Sequence, residues 1–200
     1  YPNLLTQEGI RGNEEFPDAT HNTILPFTRM INGAADYTIC YYRQDFGRLN
    51  ADKDSYGVPR SKSIQTTPAH QLALAAVYYS PLQYMYWYDK PSDSQDEPEL
   101  KFFDDVYTTW DDTKVLQGEV GEFITIARRK GEEWFIGSIT NNEKRVLSVS
   151  LDFLPEGKNY IAEIYTDGDK SVKTRTKVRV STYRVSNKTK LNFCLKASGG

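Results

Sequence analysis

The chain has 200 residues, of which 26% are charged and 38% hydrophobic, a composition typical of a folded protein and not of a disordered tail. The first hundred residues carry 8 basic and 13 acidic side chains and the second hundred carry 17 and 14, so neither half has the basic excess of a nucleic-acid-binding surface. The longest apolar run, near residues 69–79, is shorter than the roughly 20 residues that span a bilayer. The two cysteines, Cys40 and Cys194, are far apart in the sequence and predict neither a disulfide framework nor a zinc site.

Strand-like and helix-like segments alternate in the first part of the chain. Residues 2–6 predict the end of a short buried strand. The glycine- and glutamate-rich residues 7–15 predict a loop, because glycine allows positive φ and carboxylates are costly inside a core. The apolar run 24–28 predicts a second strand or strand end, and the polar residues 43–65 predict a surface excursion.

A buried helix is predicted after Thr67. Thr67 can cap the free N–H groups of the first turn, and Pro68 is pre-set for that turn. Residues 70–80 are apolar on nearly every side, which indicates burial, and Pro81 ends the helix. The aromatic residues that follow either pack at a domain interface, the commoner case, or form a platform on which sugars stack. They are Tyr84, Tyr86, Trp87 and Tyr88.

The second half of the chain is β-rich. The acidic residues 91–98 predict a hinge, and beyond it short runs of period-two alternation are separated by turn residues. The predicted strands are residues 123–128, 134–139, 146–151, 160–165, 178–185 and 191–195. Short strands at this spacing predict an antiparallel β-sandwich.

Three carboxylates follow the first predicted strand. Glu8, Glu14 and Glu15 lie in a loop that Gly9 and Gly12 bend. Carboxylates held in this way suit general acid catalysis at a glycosidic oxygen, or calcium binding, which takes six to eight oxygen ligands. Their spacing alone leaves both roles open, and a solvated surface is the commonest setting for such a loop.

A set of motifs in fixed order resembles glycoside hydrolase family 97. The motifs are PNLLTQEGIRGNE (2–14), HNTILPFTR (21–29), DYT (36–38), AHQLAL (69–74), YSPLQ (79–83), WDDTKV (110–115), IARR (126–129), WFIG (134–137), LDFL (151–154) and IYTDG (164–168). The match spans almost the whole chain but only the C-terminal third or so of such an enzyme. The N-terminal β-sandwich and the first part of the catalytic barrel are not in it, and the start at Tyr1 has the character of a cut.

The resemblance implies an α/β part followed by an all-β part. Residues 1–100 would be the last βα units of a (β/α)8 catalytic barrel. Residues 101–200 would be an antiparallel β-sandwich that packs on the barrel and is associated with oligomerisation in the family.

The resemblance also implies a calcium-dependent, exo-acting α-glycosidase, either an α-glucosidase or an α-galactosidase. Glu8 matches the position of a calcium ligand, and Glu14 matches the general acid, which also contacts the Ca²⁺. Glu15 matches no catalytic position and is expected to be solvated. The second catalytic carboxylate lies upstream in family members, so the 200 residues alone are expected to be inactive.

Other polar residues have simpler interpretations. His21 either bonds a sugar hydroxyl at the rim of the site or is a structural loop residue. Arg29 is expected to pair with a barrel carboxylate, and His70 to be structural. Asp111 and Asp112 suit either a metal or a capped turn, and the turn is the simpler account.

The expected partners follow from the family. They are an oligosaccharide substrate and, through the β-sandwich, further copies of the chain. No nucleic acid or membrane span is expected, and the family implies a periplasmic or secreted bacterial protein. The alternative from another functional class is a non-catalytic carbohydrate-binding or assembly module in which the sandwich is the working part.

Overall fold

A computed structural model describes residues 18–35, 37–40, 65–87, 92 and 97–200. The strand predicted at residues 2–6, the glutamate-rich loop at 7–15 and nearly all of the excursion at 43–65 lie outside these described residues. Helices and one short parallel strand pair come first along the described chain, and antiparallel strands follow.

Helical turns occupy the segment that begins at residue 18. They are helix α1 (Ala19–Ile24) and two 3-10 helices, Leu25–Phe27 and Arg29–Asn32. Asp18 sets the start of α1, because its side chain accepts a hydrogen bond from the backbone N–H of His21 at 2.7 Å. The strand predicted at residues 24–28 is wrong, since this cap and Pro26 in the first turn of the 3-10 helix favour helical turns over an extended run.

Two short strands form a parallel pair. Strand β1 (Ile39–Cys40) pairs with β2 (Met85–Tyr86), with Ile39 opposite Met85. Parallel neighbours need a crossover connection, usually a helix, and helix α2 (Pro68–Val77) lies between these two strands in the chain. This arrangement agrees with the predicted βα units, while the barrel itself stays a prediction.

Helix α2 begins where the sequence predicts. The Thr67 side chain accepts a hydrogen bond from the backbone N–H of His70, and Pro68 occupies the first turn. Nine of its ten residues are buried, and the helix ends at Val77, just before the predicted end, as Tyr78 becomes extended. Within the described ranges, no helix combines the length and apolar character needed to cross a membrane.

Seven antiparallel strands follow a short connecting segment. That segment contains a 3-10 helix (Pro98–Leu100) and helix α3 (Lys101–Asp105). The strands are β3 (Asp112–Glu119), β4 (Phe123–Lys130), β5 (Glu133–Thr140), β6 (Arg145–Ser150), β7 (Asn159–Asp167), β8 (Val178–Ser186) and β9 (Lys190–Leu195). The six predicted strands correspond to β4 through β9, and β3 is an addition.

The strands form three antiparallel sheets that share a core. The sheets have the orders β3-β4-β5, β6-β9 and β7-β8. Val149, Leu151, Leu154 and Val185 are buried together, and apolar side chains from all three sheets pack around them. Layered packing of this kind agrees with the antiparallel β-rich part predicted from the sequence.

Helix α2 packs on the sheet that contains β5. A side-chain Cβ at Gly137 would lie 2.6 Å from the carbonyl oxygen of Ala73 and 2.8 Å from Cγ2 of Val77. The absence of a side chain at this position therefore lets the helix approach the strand closely. The second apolar cluster joins α2 to Ile124, Ile126 and Ile139 of this sheet, so the core crosses the predicted hinge near residue 100.

Candidate functional site

Glu8 and Glu14, the predicted catalytic and metal-binding residues, lie outside the described residues. Glu15 lies outside them as well. Their roles stay predictions. Among residues 18–35, 37–40, 65–87, 92 and 97–200, no group of three or more His, Cys, Asp or Glu side chains could hold a metal ion. The described chain begins at residue 18, four positions after Glu14 in the sequence.

Two other residues with predicted roles, His21 and Arg29, are among the described residues. His21 is exposed on α1. Arg29 is half-buried in the following 3-10 helix, and its Nη2 donates to the carbonyl oxygen of Ala34 at 3.4 Å. Sugar binding by His21 and carboxylate pairing by Arg29 therefore stay predictions.

The two adjacent aspartates at the start of β3, Asp111 and Asp112, have local structural roles. The Asp111 carboxylate accepts from the backbone N–H of Gly131 at 2.8 Å and from Nζ of Lys130 at 3.2 Å, and these bonds lower the pKa of Asp111. Asp112 accepts from the backbone N–H of Thr113 at 2.8 Å. These contacts support the capped-turn interpretation.

In the aromatic run after α2, Trp87 contributes to packing, whereas Tyr88 and the side chain of Tyr86 lie outside what the structure describes. Trp87 is 5% exposed and lies in an apolar cluster with Leu72 of α2 and Val178 of β8. Its Nε1 donates to Oε1 of the buried Glu99 at 3.2 Å. A covered indole cannot stack on a sugar, so Trp87 supports the packed-interface interpretation, while Tyr84 is exposed.

A buried polar bridge connects α1, α2 and the residues after β9. Nε2 of His70 lies 3.1 Å from Nδ2 of Asn22, and Nδ1 of His70 lies 3.2 Å from the carbonyl oxygen of Gly199. A carbonyl oxygen can only accept, so Nδ1 of His70 carries the proton and Nε2 accepts from the Asn22 amide. Both imidazole nitrogens are thereby used, and His70 is structural, as the sequence predicts.

The imidazole of His70 is neutral at physiological pH. The side chain is completely buried, and loss of solvation lowers its pKa from 6.5 to about 4. Its hydrogen bonds to the tail of the chain only partly offset this effect. The bridge therefore needs the uncharged form of His70, and no proton transfer at neutral pH is expected there.

The C-terminal end of α2 is bound by a charged residue of the sheet. Nε of Arg128 donates to the carbonyl oxygen of Ala76, and Nη2 donates to that of Val77 at 3.1 Å. Nη1 reaches Oγ1 of Thr113 at 2.9 Å. These bonds satisfy carbonyls that the last turn of a helix leaves free and put a cation where the helix dipole favours one.

A carboxylate occupies the other end of α2. Asp167 accepts from Oγ1 of Thr67 at 2.8 Å and from backbone N–H groups of Ala69 and Gly200. Burial nevertheless raises the pKa of Asp167 above its ordinary value. The Asp167 carboxyl group thus joins the N-terminus of α2 to β7.

A cavity of about 540 Å³ lies beside the core of the three sheets. Its lining includes Trp134, Phe153, Tyr160 and Phe193, which also pack around that core. Residues of α2, among them Leu72 and Ala76, also line it, so the cavity lies between this helix and the β-rich part.

Comparison with known proteins reveals the family. Residues 109–200 match the family described as "Glycosyl-hydrolase 97 C-terminal, oligomerisation". Over the whole chain, a family 97 enzyme from Pseudoalteromonas sp. strain K8, solved in complex with acarbose, is 33% identical with a TM-score of 0.81. The chain belongs to glycoside hydrolase family 97 and corresponds to the C-terminal region of its members. The resemblance predicted from the sequence is thereby confirmed.

Other family 97 relatives agree with this assignment. "Retaining alpha-galactosidase" of Bacteroides thetaiotaomicron is 33% identical over the whole chain, which covers 30% of that protein. A variant of a family 97 enzyme from the same Pseudoalteromonas strain, in complex with panose, is 32% identical with a TM-score of 0.79, and the chain covers 31% of it. The chain therefore spans about a third of the length of the relatives it matches.

The sequence did not single out the residues that join this family 97 region together. Asn22 and Asp167 are short polar residues whose burial depends on distant segments, so they have no local signal. Arg128 does have a local signal in the sequence, because it lies on the same face of β4 as the buried residues Ile124 and Ile126. A charged side chain on a buried face needs a hydrogen-bonding partner, and here the partner is the last turn of α2.

Proposed function

We propose that the longer protein to which this chain corresponds is an exo-acting α-glycosidase that hydrolyses terminal α-linked galactose or glucose. The observation that carries this proposal is the extent of the similarity. All 200 residues of this chain align with part of the retaining α-galactosidase of Bacteroides thetaiotaomicron. The similarity therefore extends well beyond residues 109–200. The segment with Glu8 and Glu14 therefore lies within the region of similarity.

Glu14 is the proposed general acid. Its carboxyl proton passes to the glycosidic oxygen as the bond from the anomeric carbon to that oxygen breaks, so that the leaving sugar departs with a neutral hydroxyl. In a retaining reaction the second carboxylate, proposed to lie upstream of this chain, forms the covalent glycosyl intermediate. The Glu14 carboxylate then takes a proton from the attacking water and is restored as the acid.

Calcium is the proposed metal of the site, with Glu8 and Glu14 as ligands. Carboxylate oxygens are the donors that this cation prefers. Two carboxylates supply at most four of the six to eight oxygens that it needs, so further ligands must come from other parts of the longer protein. When bound, the ion would orient and polarise groups at the site.

Two neighbouring glutamates provide a matched test in the longer protein. We expect Glu14→Gln to lower kcat at least about 100-fold on melibiose or maltose, because an amide cannot donate the required proton. The matched variant Glu15→Gln removes the same charge one residue away and is expected to retain activity. Initial rates with both disaccharides measure the effect, and near-normal turnover by Glu14→Gln would overturn the proposal.

Calcium calorimetry extends this test to Glu8. Removal of a ligand by Glu8→Ala is expected to weaken calcium binding, whereas Glu15→Gln leaves the affinity close to that of the unmodified protein. Unchanged affinity in Glu8→Ala would exclude its role as a ligand.

We also propose that the antiparallel sheets mediate assembly of several copies, and that the protein works in the periplasm or outside the cell. The description of the family matched by residues 109–200, which names oligomerisation, supports the first point. The usual setting of the family supports the second.

A further inference from the structure

The cavity of about 540 Å³ between α2 and the β-rich part has the size of a small-molecule site. Protein interiors leave few voids larger than a water molecule, whereas ligand sites measure roughly 300–1,000 Å³. Several apolar side chains that line it are only half-buried, among them Trp134 of β5 and Tyr160 of β7. Ile136 of β5 lines it as well and is 37% exposed. The cavity is therefore more than a gap between packed side chains.

Aromatic rings form much of the cavity wall. The rings of Trp134 and Phe153 have centroids 4.7 Å apart, and those of Phe102 on α3 and Tyr165 on β7 meet edge to face at 5.4 Å. All four rings line the cavity. Three further aromatic side chains of the described residues line it, and they are Phe135, Tyr160 and Phe193. Such rings bind apolar groups, and their faces also attract cations.

The charged residues that line the cavity are mostly acidic. Within the described part of the chain they are Lys101, Asp105, Glu132, Glu133 and Glu163. All five are exposed, so they form the mouth of the cavity on its solvent side. Lys101, the single cation among them, is already paired with Asp105 and, at 3.4 Å, with Glu163. Carboxylates therefore dominate the charge of the mouth.

The two remaining carboxylates of the mouth differ in their partners. Glu132 forms an ion pair with Lys158 at 2.7 Å. Glu133 instead accepts a hydrogen bond from the Tyr107 hydroxyl at 2.9 Å, and this neutral donor leaves its negative charge in place. Glu133 is thus the carboxylate best suited to attract a positive group.

We propose that this cavity binds a small organic cation, in which an apolar and preferably aromatic body carries an ammonium group. The body lies against the rings and apolar side chains of the wall, and the ammonium group lies at the mouth, beside Glu133. A carboxylic acid of the same shape is disfavoured, because its charge has the sign of the mouth. This inference does not depend on the proposed function of Glu14.

Three ligands of one shape test the charge preference. At pH 7, 4-phenylbutylammonium is positive, 4-phenyl-1-butanol is neutral and 4-phenylbutyrate is negative. In calorimetric titration of the longer protein, we expect Kd for the ammonium compound to be at least about tenfold lower than for the carboxylate, with the alcohol between them. The difference should shrink in about 1 M NaCl, which screens charges at an exposed mouth.

Two variants locate the binding. Ala162→Phe adds a ring on the half-buried side of β7 that lines the cavity, and should weaken binding of all three ligands at least about fivefold. Its matched control is Val146→Phe, at a 73% exposed position of β6 outside the lining, which should leave the affinities unchanged. Glu133→Gln keeps the shape of the mouth but removes a charge, and should weaken binding of the ammonium compound about threefold while leaving the alcohol unaffected.

Several outcomes would overturn the proposal. Equal affinities for the three ligands, or tighter binding of the carboxylate, would exclude a preference for cations. Ammonium binding that neither Ala162→Phe nor Glu133→Gln changes would show that the cation binds elsewhere on the longer protein. Absence of saturable binding would show that the cavity does not take such a ligand. Thermal unfolding checks that Ala162→Phe is folded, and Glu133→Gln, at an exposed position, keeps the test decisive if it is not.

Discussion

His70 makes the stability of the protein depend on pH. Burial lowers the pKa of His70 from 6.5 to about 4 in the folded state. Above pH 6.5 the residue is neutral in both states and stability is complete. As pH falls from 6.5 to 4, only the unfolded state takes up the proton, so the free energy of unfolding should drop by roughly 3 kcal/mol.

Urea denaturation between pH 7 and pH 4 of the unmodified protein and of His70→Gln measures this effect. Gln does not titrate, so the difference in unfolding free energy between the two should shrink by about that amount as pH falls. The raised pKa of Asp167 acts in the opposite direction, because protonation there favours the folded state, but it is common to both proteins and cancels. Replacement of the exposed His21 by Gln serves as control, and a pH-independent difference would contradict the prediction.

At the level of single residues, the sequence predicts local roles better than distant partnerships. The cap at Thr67 is confirmed because it depends on residues three positions apart. The bond from His70 to Gly199 joins positions 129 residues apart, which no local pattern contains. Glu8 and Glu14 acquire specific roles only through the family resemblance, since a glutamate-rich loop has several chemical uses.

Among the elements, the contact between α2 and β5 is the most sensitive to added volume. We expect Gly137→Ala to destabilise the fold by about 1–3 kcal/mol, because the new methyl group would meet the Ala73 carbonyl oxygen at 2.6 Å and the helix must move away. Equilibrium unfolding in urea measures the change. Ile136→Ala, on the same strand with a side chain 37% exposed, should cost less, and an equal or larger loss there would refute the close-packing argument.

Alternation and turn residues explain which elements could be predicted. Strands β4 to β9 have an apolar face and polar breaks between them, and all six were predicted. Strand β3 was missed because none of its residues is buried, which leaves little alternation to detect. The run at residues 24–28 is apolar enough for a strand, but the cap at Asp18 and the proline within the run decide for helical turns.

At the scale of the whole molecule, the helical and β-rich parts are not independent. The cluster that joins Leu74, Val77 and Tyr78 to Ile124 and Ile139 crosses the predicted hinge. Period-two and helical patterns predict the two parts separately, but neither pattern encodes which faces meet. The predicted order of α/β and β-rich parts agrees with the described chain, and the bridge between them becomes visible only in three dimensions.

The 200 residues alone should not catalyse hydrolysis. A retaining reaction needs two carboxyl groups about 5 Å apart, and we propose that the second lies upstream of this chain. Among the described residues the parallel sheet pairs only β1 with β2, and unpaired strand edges favour aggregation. We therefore expect no turnover of 4-nitrophenyl α-galactoside or 4-nitrophenyl α-glucoside by the isolated chain, with the longer protein assayed in parallel as the positive control. Turnover that disappears when Glu14→Gln is introduced into the isolated chain would show that the chain is catalytically sufficient and would contradict this expectation.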